Sequence, residues 1–294
     1  MFQLRQSFLL FLTASIWGSG FVAQSVGMDH VTPFTFTFFR TLIGALFLLP
    51  FIALIKALYK NKVKEKSYTT KDLLIGSASC GLFLIMGESF QQYGLVTTDA
   101  GKTGFITSMY IIFVPLISIT VGKKINRFIW IGVILAVIGM YLLCIKQDFT
   151  IERGDLLILC CAVAFAFHIM VIDHFVKTIY GVMLACGQFL MASFMGLILM
   201  LIFDFNTLSY DSIMAAAPAM LYAGIMSNGI AYTLQVVGQR GINPAVATLI
   251  LSLESVMAVI FGITFLNESL ATRELIGCVL MFLAVIIAQY PFKK

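Results

Sequence analysis

The residues best equipped for chemistry in this sequence are few, and they stand in apolar surroundings. Glu254 lies near the middle of Asn243–Leu270, NPAVATLILSLESVMAVIFGITFLNESL. Asn243 suits a helix cap and Pro244 the first helical turn. About 22 mostly apolar residues follow, enough to cross a bilayer core. A charge at that depth is costly, so Glu254 must face a cavity or a partner rather than lipid. It is either a pore-lining carboxylate or a protonated acid bonded to a neighbouring helix. Glu88 is a second acid in an apolar stretch, Arg40 a cation and His168 a lone imidazole. Arg40 cannot shed its charge. It must snorkel outward, find a carboxylate or backbone carbonyls, or clamp a substrate carboxylate. His168 is a packing residue or, titrating near neutrality, a proton relay.

Gln91, Gln92, Gln188, Asn228 and Gln235 add amides to the same apolar stretches, and several should bond helix to helix. Trp17 and Tyr232 offer aromatic faces for packing or for an apolar part of a substrate. Enzyme chemistry finds no support. There is no His-Glu-x-x-His run and no Ser/His/Asp set. Gly101-Lys102-Thr103 imitates the end of a phosphate-binding loop, but Val96 stands where its first Gly belongs and no strand precedes it. The six Cys fall in apolar segments without CxxC spacing, which argues against a disulfide framework or a zinc site. No metal and no cofactor is expected.

The elements that hold these residues follow from composition. Of 294 residues, 60% are hydrophobic and 11% charged, with a mean hydropathy of +1.00. A soluble domain is about half apolar and about a quarter charged. The expected fold is therefore all-α integral membrane, with the bilayer as partner and no role for nucleic acid. Ten apolar windows appear, at 8–28, 33–55, 73–95, 100–121, 127–145, 155–173, 179–203, 213–238, 244–266 and 271–290. The first is long for a signal peptide and lacks a clear cleavage site, so it reads as the first span.

Orientation follows from Lys and Arg, which favour the cytoplasmic side. With the N-terminus inside, inner segments carry 14 of the 19, including Lys60, Lys62, Lys64 and Lys66. Outer segments carry four: Lys102, Lys146, Arg153 and Arg273. Both termini are expected in the cytoplasm, in the cytoplasmic membrane.

The two halves, 1–146 and 147–294, resemble each other. An offset of 144 places Gln91 on Gln235, Gly94 on Gly238, Asp99 on Asn243 and Ser108 on Ser252. An offset of 148 places Trp17 on Phe165 and Arg40 on Gln188. Five spans per half is an odd number, so the second half enters the membrane upside down. Such inverted repeats hold substrate near the midplane at their interface. The same offset sets Glu88 on Tyr232 and Tyr110 on Glu254. Each half thus supplies one Glu and one Tyr at exchanged positions, and all four are expected to face inward. By helical rise, Glu254 lies about 15 Å along its span and Glu88 about 22 Å along its own. Gly132 and Ala136 have small-xxx-small spacing, which permits close contact within one molecule or in a homodimer.

These residues carry a family resemblance. ASIWGSGFV at 14–22, FTFFRTLIGALF at 36–47, and ILSLESVMAVIFGITFLNESL with ELIGCVLMFLAVII at the end resemble the EamA-type members of the drug/metabolite transporter superfamily. The resemblance covers nearly the whole chain. It implies ten helices in two inverted five-helix repeats. Spans one to four and six to nine would surround a central cavity, with five and ten outside. It also implies export of a small metabolite, often an amino acid. Ser255 stands where family repeats often have Pro, which should remove a kink from span nine. Glu268 keeps a family acid whose first-half counterpart here is Lys124. The basic residues with which relatives hold phosphate are not evident.

The expected function is secondary active transport of a small amphipathic metabolite by alternating access, with protons as a candidate coupling ion. The alternatives are an uncoupled facilitator and a non-transporting scaffold. The expected site comprises Glu254, Glu88, Tyr110, Tyr232, Gln91, Gln235, Trp17, Arg40, His168 and Asn228.

Overall fold

A computed structural model describes residues 2–58, 68–98, 100–145, 152–266 and 271–289. Lys60, Lys62, Lys64, Lys66, Asp99, Lys146, Glu268 and the last two lysines lie outside the described residues.

Among the described residues the helices group into ten candidate spans, nine of them long and apolar enough to cross a membrane. Spans 1 to 3 are Phe2–Met28, Pro33–Leu58 and Thr70–Leu95. Span 4 is a pair, Ala100–Thr107 and Tyr110–Thr120, and span 5 is Arg127–Cys144. Span 6 is Arg153–Phe175, and span 7 is Gly181–Leu199 extended by a π-helical turn, Met200–Asp204. Span 8 runs through Tyr210–Tyr222, a π-helical stretch Ala223–Tyr232, and Thr233–Gln239. Span 9 is again a pair, Pro244–Leu251 and Glu254–Leu266, and span 10 is Thr272–Ala288.

Local sequence sets the helix starts. The Thr69 hydroxyl accepts from Asp72 N at 3.1 Å, and the Asp72 carboxylate accepts from Thr69 N at 2.9 Å. This reciprocal cap fixes the entry of span 3. Asn243 caps span 9 by accepting from Ala245 N at 3.0 Å, with Pro244 in the first turn as its sequence predicts. Span 2 borrows its cap from span 7. Asp204 accepts from Thr35 N at 2.8 Å, from the Thr35 hydroxyl at 3.1 Å and from the Thr32 hydroxyl.

The polarity of the bundle suits a bilayer. Leu49, Phe51, Ile134, Ile202, Phe203 and Ile286 point outward, while Arg40, Gln92, Gln188 and Asn228 are buried. With no water in the hydrocarbon, polar groups must find partners inside the bundle.

Packing obeys a two-fold exchange of the repeats. Span 3 lies on span 6, and its counterpart span 8 lies on span 1. Spans 3 and 7 pair as spans 8 and 2 do, and spans 4 and 6 as spans 9 and 1 do. Spans 2 and 7 pack on each other, as do spans 5 and 10. The last pair uses glycine for backbone contact. A Cβ on Gly139 would lie 2.8 Å from the Gly277 carbonyl oxygen, and one on Gly277 would lie 2.6 Å from that of Gly139. Gly132 likewise faces Ala284 and Ala288, so the small residues of span 5 serve contact within the molecule.

Span 4 is held to span 6 near both ends. Lys102 pairs with Asp155 at 2.6 Å, which gives the apparent phosphate-loop lysine an ionic partner. At the other end Lys123 pairs with Asp173, which Lys177 also approaches at 3.0 Å.

One expectation is overturned. Ser255 does not straighten span 9, because the helix breaks at Ser252–Leu253. There the bonds tighten to a three-residue step: Leu253 N reaches Ile250 O at 3.2 Å and Ser255 N reaches Ser252 O at 3.3 Å. The Ser252 hydroxyl donates to Leu249 O at 2.9 Å. A serine bonding to the backbone offers an alternative to the helical ladder, so no proline is needed. Span 4 breaks at the equivalent place, Ser108–Met109, with Met109 N on Ile106 O and Ile111 N on Ser108 O, both at 3.1 Å.

Candidate functional site

The two breaks sit at corresponding positions of the repeats and present Tyr110 and Glu254 at the start of their second half-helices. A helix start has unsatisfied N–H groups and a partial positive charge, which suits a carboxylate. Glu254 Oε1 accepts from the Ser108 hydroxyl at 3.0 Å and from the Tyr110 hydroxyl at 3.4 Å. The second half-repeat's acid is thus held by two neutral donors of the first. No cation is paired with Glu254 among the described residues. Span 1 seals this junction: a Cβ on Gly18 would come 2.6 Å from Glu254 O and 2.7 Å from Ala258 N.

A small cavity of about 40 Å³ lies here, room for a few waters in this conformation. Span 1 lines it with Trp17, Phe21 and Gln24, span 2 with Arg40, span 3 with Gln91 and span 4 with Thr107 and Tyr110. Span 6 gives Phe165, His168 and Ile169, span 8 Ser227, Tyr232 and Gln235, and span 9 Glu254. Spans 5 and 10 stay outside, as the resemblance implies. Span 7 contributes no lining residue, and supports the wall from behind. Its Gln188 Oε1 lies 3.0 Å from His168 Nε2, and its Phe189 packs edge-on against Tyr232 at 5.9 Å between ring centres.

Eight of the ten expected site residues therefore share one cavity wall. Trp17 and Tyr232 meet edge to face at 4.7 Å, and His168 meets Tyr232 at 5.9 Å. Gln91 Nε2 donates to Thr107 Oγ1 at 3.2 Å. Several buried polar atoms on this wall have no hydrogen-bond partner: Trp17 Nε1, Arg40 Nη2, His168 Nδ1 and Gln235 Oε1. Such atoms are costly unless something binds them. The wall thus combines apolar faces with donors and acceptors at fixed places.

Glu88 and Asn228 depart from the expectation. Glu88 is 1% exposed and is absent from the cavity wall. Its Oε2 lies 3.2 Å from Arg40 Nε, so Arg40 is its ionic partner. The exchange of Glu and Tyr between repeats is therefore not mirrored in contacts, because the charge on Arg40 has only Gln188 as its counterpart. Asn228, fully buried in the π-helical stretch, lies against Glu88 rather than on the wall.

Gln24, Ser108 and Thr107 were not singled out from sequence as site residues. Gln24 Oε1 accepts from Arg40 Nη1 at 2.8 Å, and its carbonyl accepts from Gln92 Nε2 at 3.2 Å. An amide late in an apolar first span was its available signal. Ser108 carried a signal as the repeat partner of Ser252. Thr107 looked like any helical threonine.

Ten spans in two repeats around a polar-lined cavity define a multi-pass membrane transporter. The EamA-like transporter family matches this chain twice, over residues 5–145 and again over 152–290, and the chain belongs to that family. It is 35% identical over 283 residues to an uncharacterized transporter of Archaeoglobus fulgidus, covering 95% of this chain and 84% of that protein. It is 26% identical to the uncharacterized transporter YoaV of Bacillus subtilis, over 95% of this chain and 94% of that one. A solved crystal structure shares the fold, with a TM-score of 0.75, 18% identity, and 97% of this chain and 96% of that chain covered.

Proposed function

We propose that this protein is a secondary active transporter of the cytoplasmic membrane, both termini inside, that exports a small amphipathic metabolite such as an amino acid. Substrate binds in the central cavity, and the repeats rock to expose it to each side in turn. The observation that carries this reading is Glu254, 3% exposed, at a helix break and held among the described residues by the neutral hydroxyls of Ser108 and Tyr110. A carboxylate without a fixed counter-ion at membrane depth is set to take a mobile one. A proton in one phase of the cycle and a substrate ammonium in the other would serve. The aromatic wall of Trp17, Phe21 and Tyr232 suits an apolar side group. Export is the direction the family resemblance implies, and the excess of Lys and Arg on inner segments supports the orientation.

The test is efflux of a labelled panel of amino acids and related metabolites from proteoliposomes, with and without a pH gradient. The reading expects at least one compound to be moved, and faster when protons flow inward. Transport of a panel member at a rate insensitive to the gradient would favour passive movement. No movement of any member beyond protein-free liposomes would count against a transport role for these compounds.

A further inference from the structure

Arg40 has more hydrogen-bonding capacity than its surroundings use. It is 2% exposed and lines the cavity. A guanidinium has five N–H donors in a rigid fork. Nη1 donates to Gln24 Oε1 at 2.8 Å, and Nε faces Glu88 Oε2 at 3.2 Å. Nη2 is buried with no hydrogen-bond partner. The ion-pair approach is at Nε, and neither Nε nor Nη2 makes a hydrogen bond among the described residues. Glu88 does not reach the cavity wall, so the Nη1–Nη2 end is the part of the guanidinium not engaged by a carboxylate. An end-on fork of this kind matches the two oxygens of a carboxylate.

We propose that Arg40 is a subsite for a carboxylate of the transported molecule, which takes the Nη1–Nη2 end while Gln24 yields and Glu88 stays on Nε as the resident counter-ion. The inference rests on the reading of the cavity as the substrate site. Trp17 Nε1, also without a partner, adds an N–H donor to the same wall, and the Trp17 and Tyr232 rings supply apolar surface beside it. Glu254, the other charge on the wall, disfavours a second carboxylate. The ligand class is therefore a monocarboxylate with an apolar or aromatic body. Glu88 lowers its affinity by repulsion, because two anions then share one cation.

The chain contains two Trp, and Trp17 is on the cavity wall, so a Trp130→Phe background makes its emission a direct report of occupancy. Full-length protein in detergent is titrated with 3-phenylpropionate and with the uncharged 3-phenylpropionamide. The acid should shift Trp17 emission at a concentration at least about tenfold below the amide, the gain expected of a charge-assisted contact. Glu88→Gln should tighten the acid by about tenfold and leave the amide unchanged. Arg40→Gln should bring the acid down to the amide. The double variant Arg40→Gln/Glu88→Gln leaves no orphan charge, and it should also lose the preference if Arg40→Gln alone fails to fold. Equal binding of acid and amide by the parent overturns the subsite and leaves the cavity reading standing. No response to either probe in any variant overturns the cavity reading and the subsite with it.

Discussion

Replacing Glu88 alone should destabilise the protein far more than replacing Glu88 and Arg40 together. The two side chains are 1% and 2% exposed, and Arg40 Nε lies 3.2 Å from Glu88 Oε2. Removing one partner of a buried ion pair leaves an uncompensated charge and costs about 3–5 kcal/mol. Replacing both with neutral groups of similar volume is often close to neutral. Gln24 still accepts from Arg40 at 2.8 Å in the single variant, which places the expected loss at the lower end, about 3 kcal/mol. Glu88→Gln keeps the volume of the side chain, so the loss reports charge rather than a cavity. Arg40→Gln/Glu88→Gln should lie within about 1.5 kcal/mol of the parent. At roughly 2 °C per kcal/mol for a chain above 200 residues, the single variant should melt about 6 °C lower and the double about 3 °C lower at most. Thermal unfolding in detergent, read by intrinsic fluorescence and by size-exclusion of heated samples, compares all three proteins. A double variant as unstable as Glu88→Gln would refute the argument that Glu88 is there to neutralise Arg40.

Two further outcomes follow, one from the Lys and Arg distribution and one from the packing. Single Cys residues placed at 56–72 in a Cys-free background should be shielded from an impermeant thiol reagent in intact cells, and those at 148–153 should label. Labelling of both sets would overturn the orientation. Gly18→Ala should push span 1 off the Glu254 break, because its Cβ would sit 2.6 Å from backbone. Transport should fall at least about tenfold, or the melting midpoint by about 2–6 °C, given the usual 1–3 kcal/mol of overpacking. Unchanged values of both would show that the contact is loose.

Much of the span layout was legible, because apolar windows and the Asn243–Pro244 start are local signals. The offset set Tyr110 and Glu254 at equivalent positions of the repeats, and the structure shows that the two also meet. The partnership of Arg40 with Glu88 was not legible. Helical rise gives the depth of a residue but not the direction of its side chain, and repeat equivalence does not say which residues touch. The break in span 9 was missed because its cue was sought in proline, whereas Ser252 supplies it. The π-helical stretch at Ala223–Tyr232 turns Ser227 and Tyr232 to the cavity, and its altered period is hidden in a uniformly apolar window.

The central claim is that Glu254 is the mobile-ion carboxylate of the transport cycle. The most direct measurement sets counterflow beside pH-driven accumulation in the same liposomes, for the parent, Glu254→Gln and Glu254→Ala, with a substrate found in the panel. Glu254→Gln mimics the protonated acid at nearly constant volume. It should retain counterflow within about threefold and lose pH-driven accumulation, because it cannot exchange a proton. Glu254→Ala should lose both, since the contact with the substrate ammonium goes with the side chain. A full pH-driven gradient in Glu254→Gln would contradict the account.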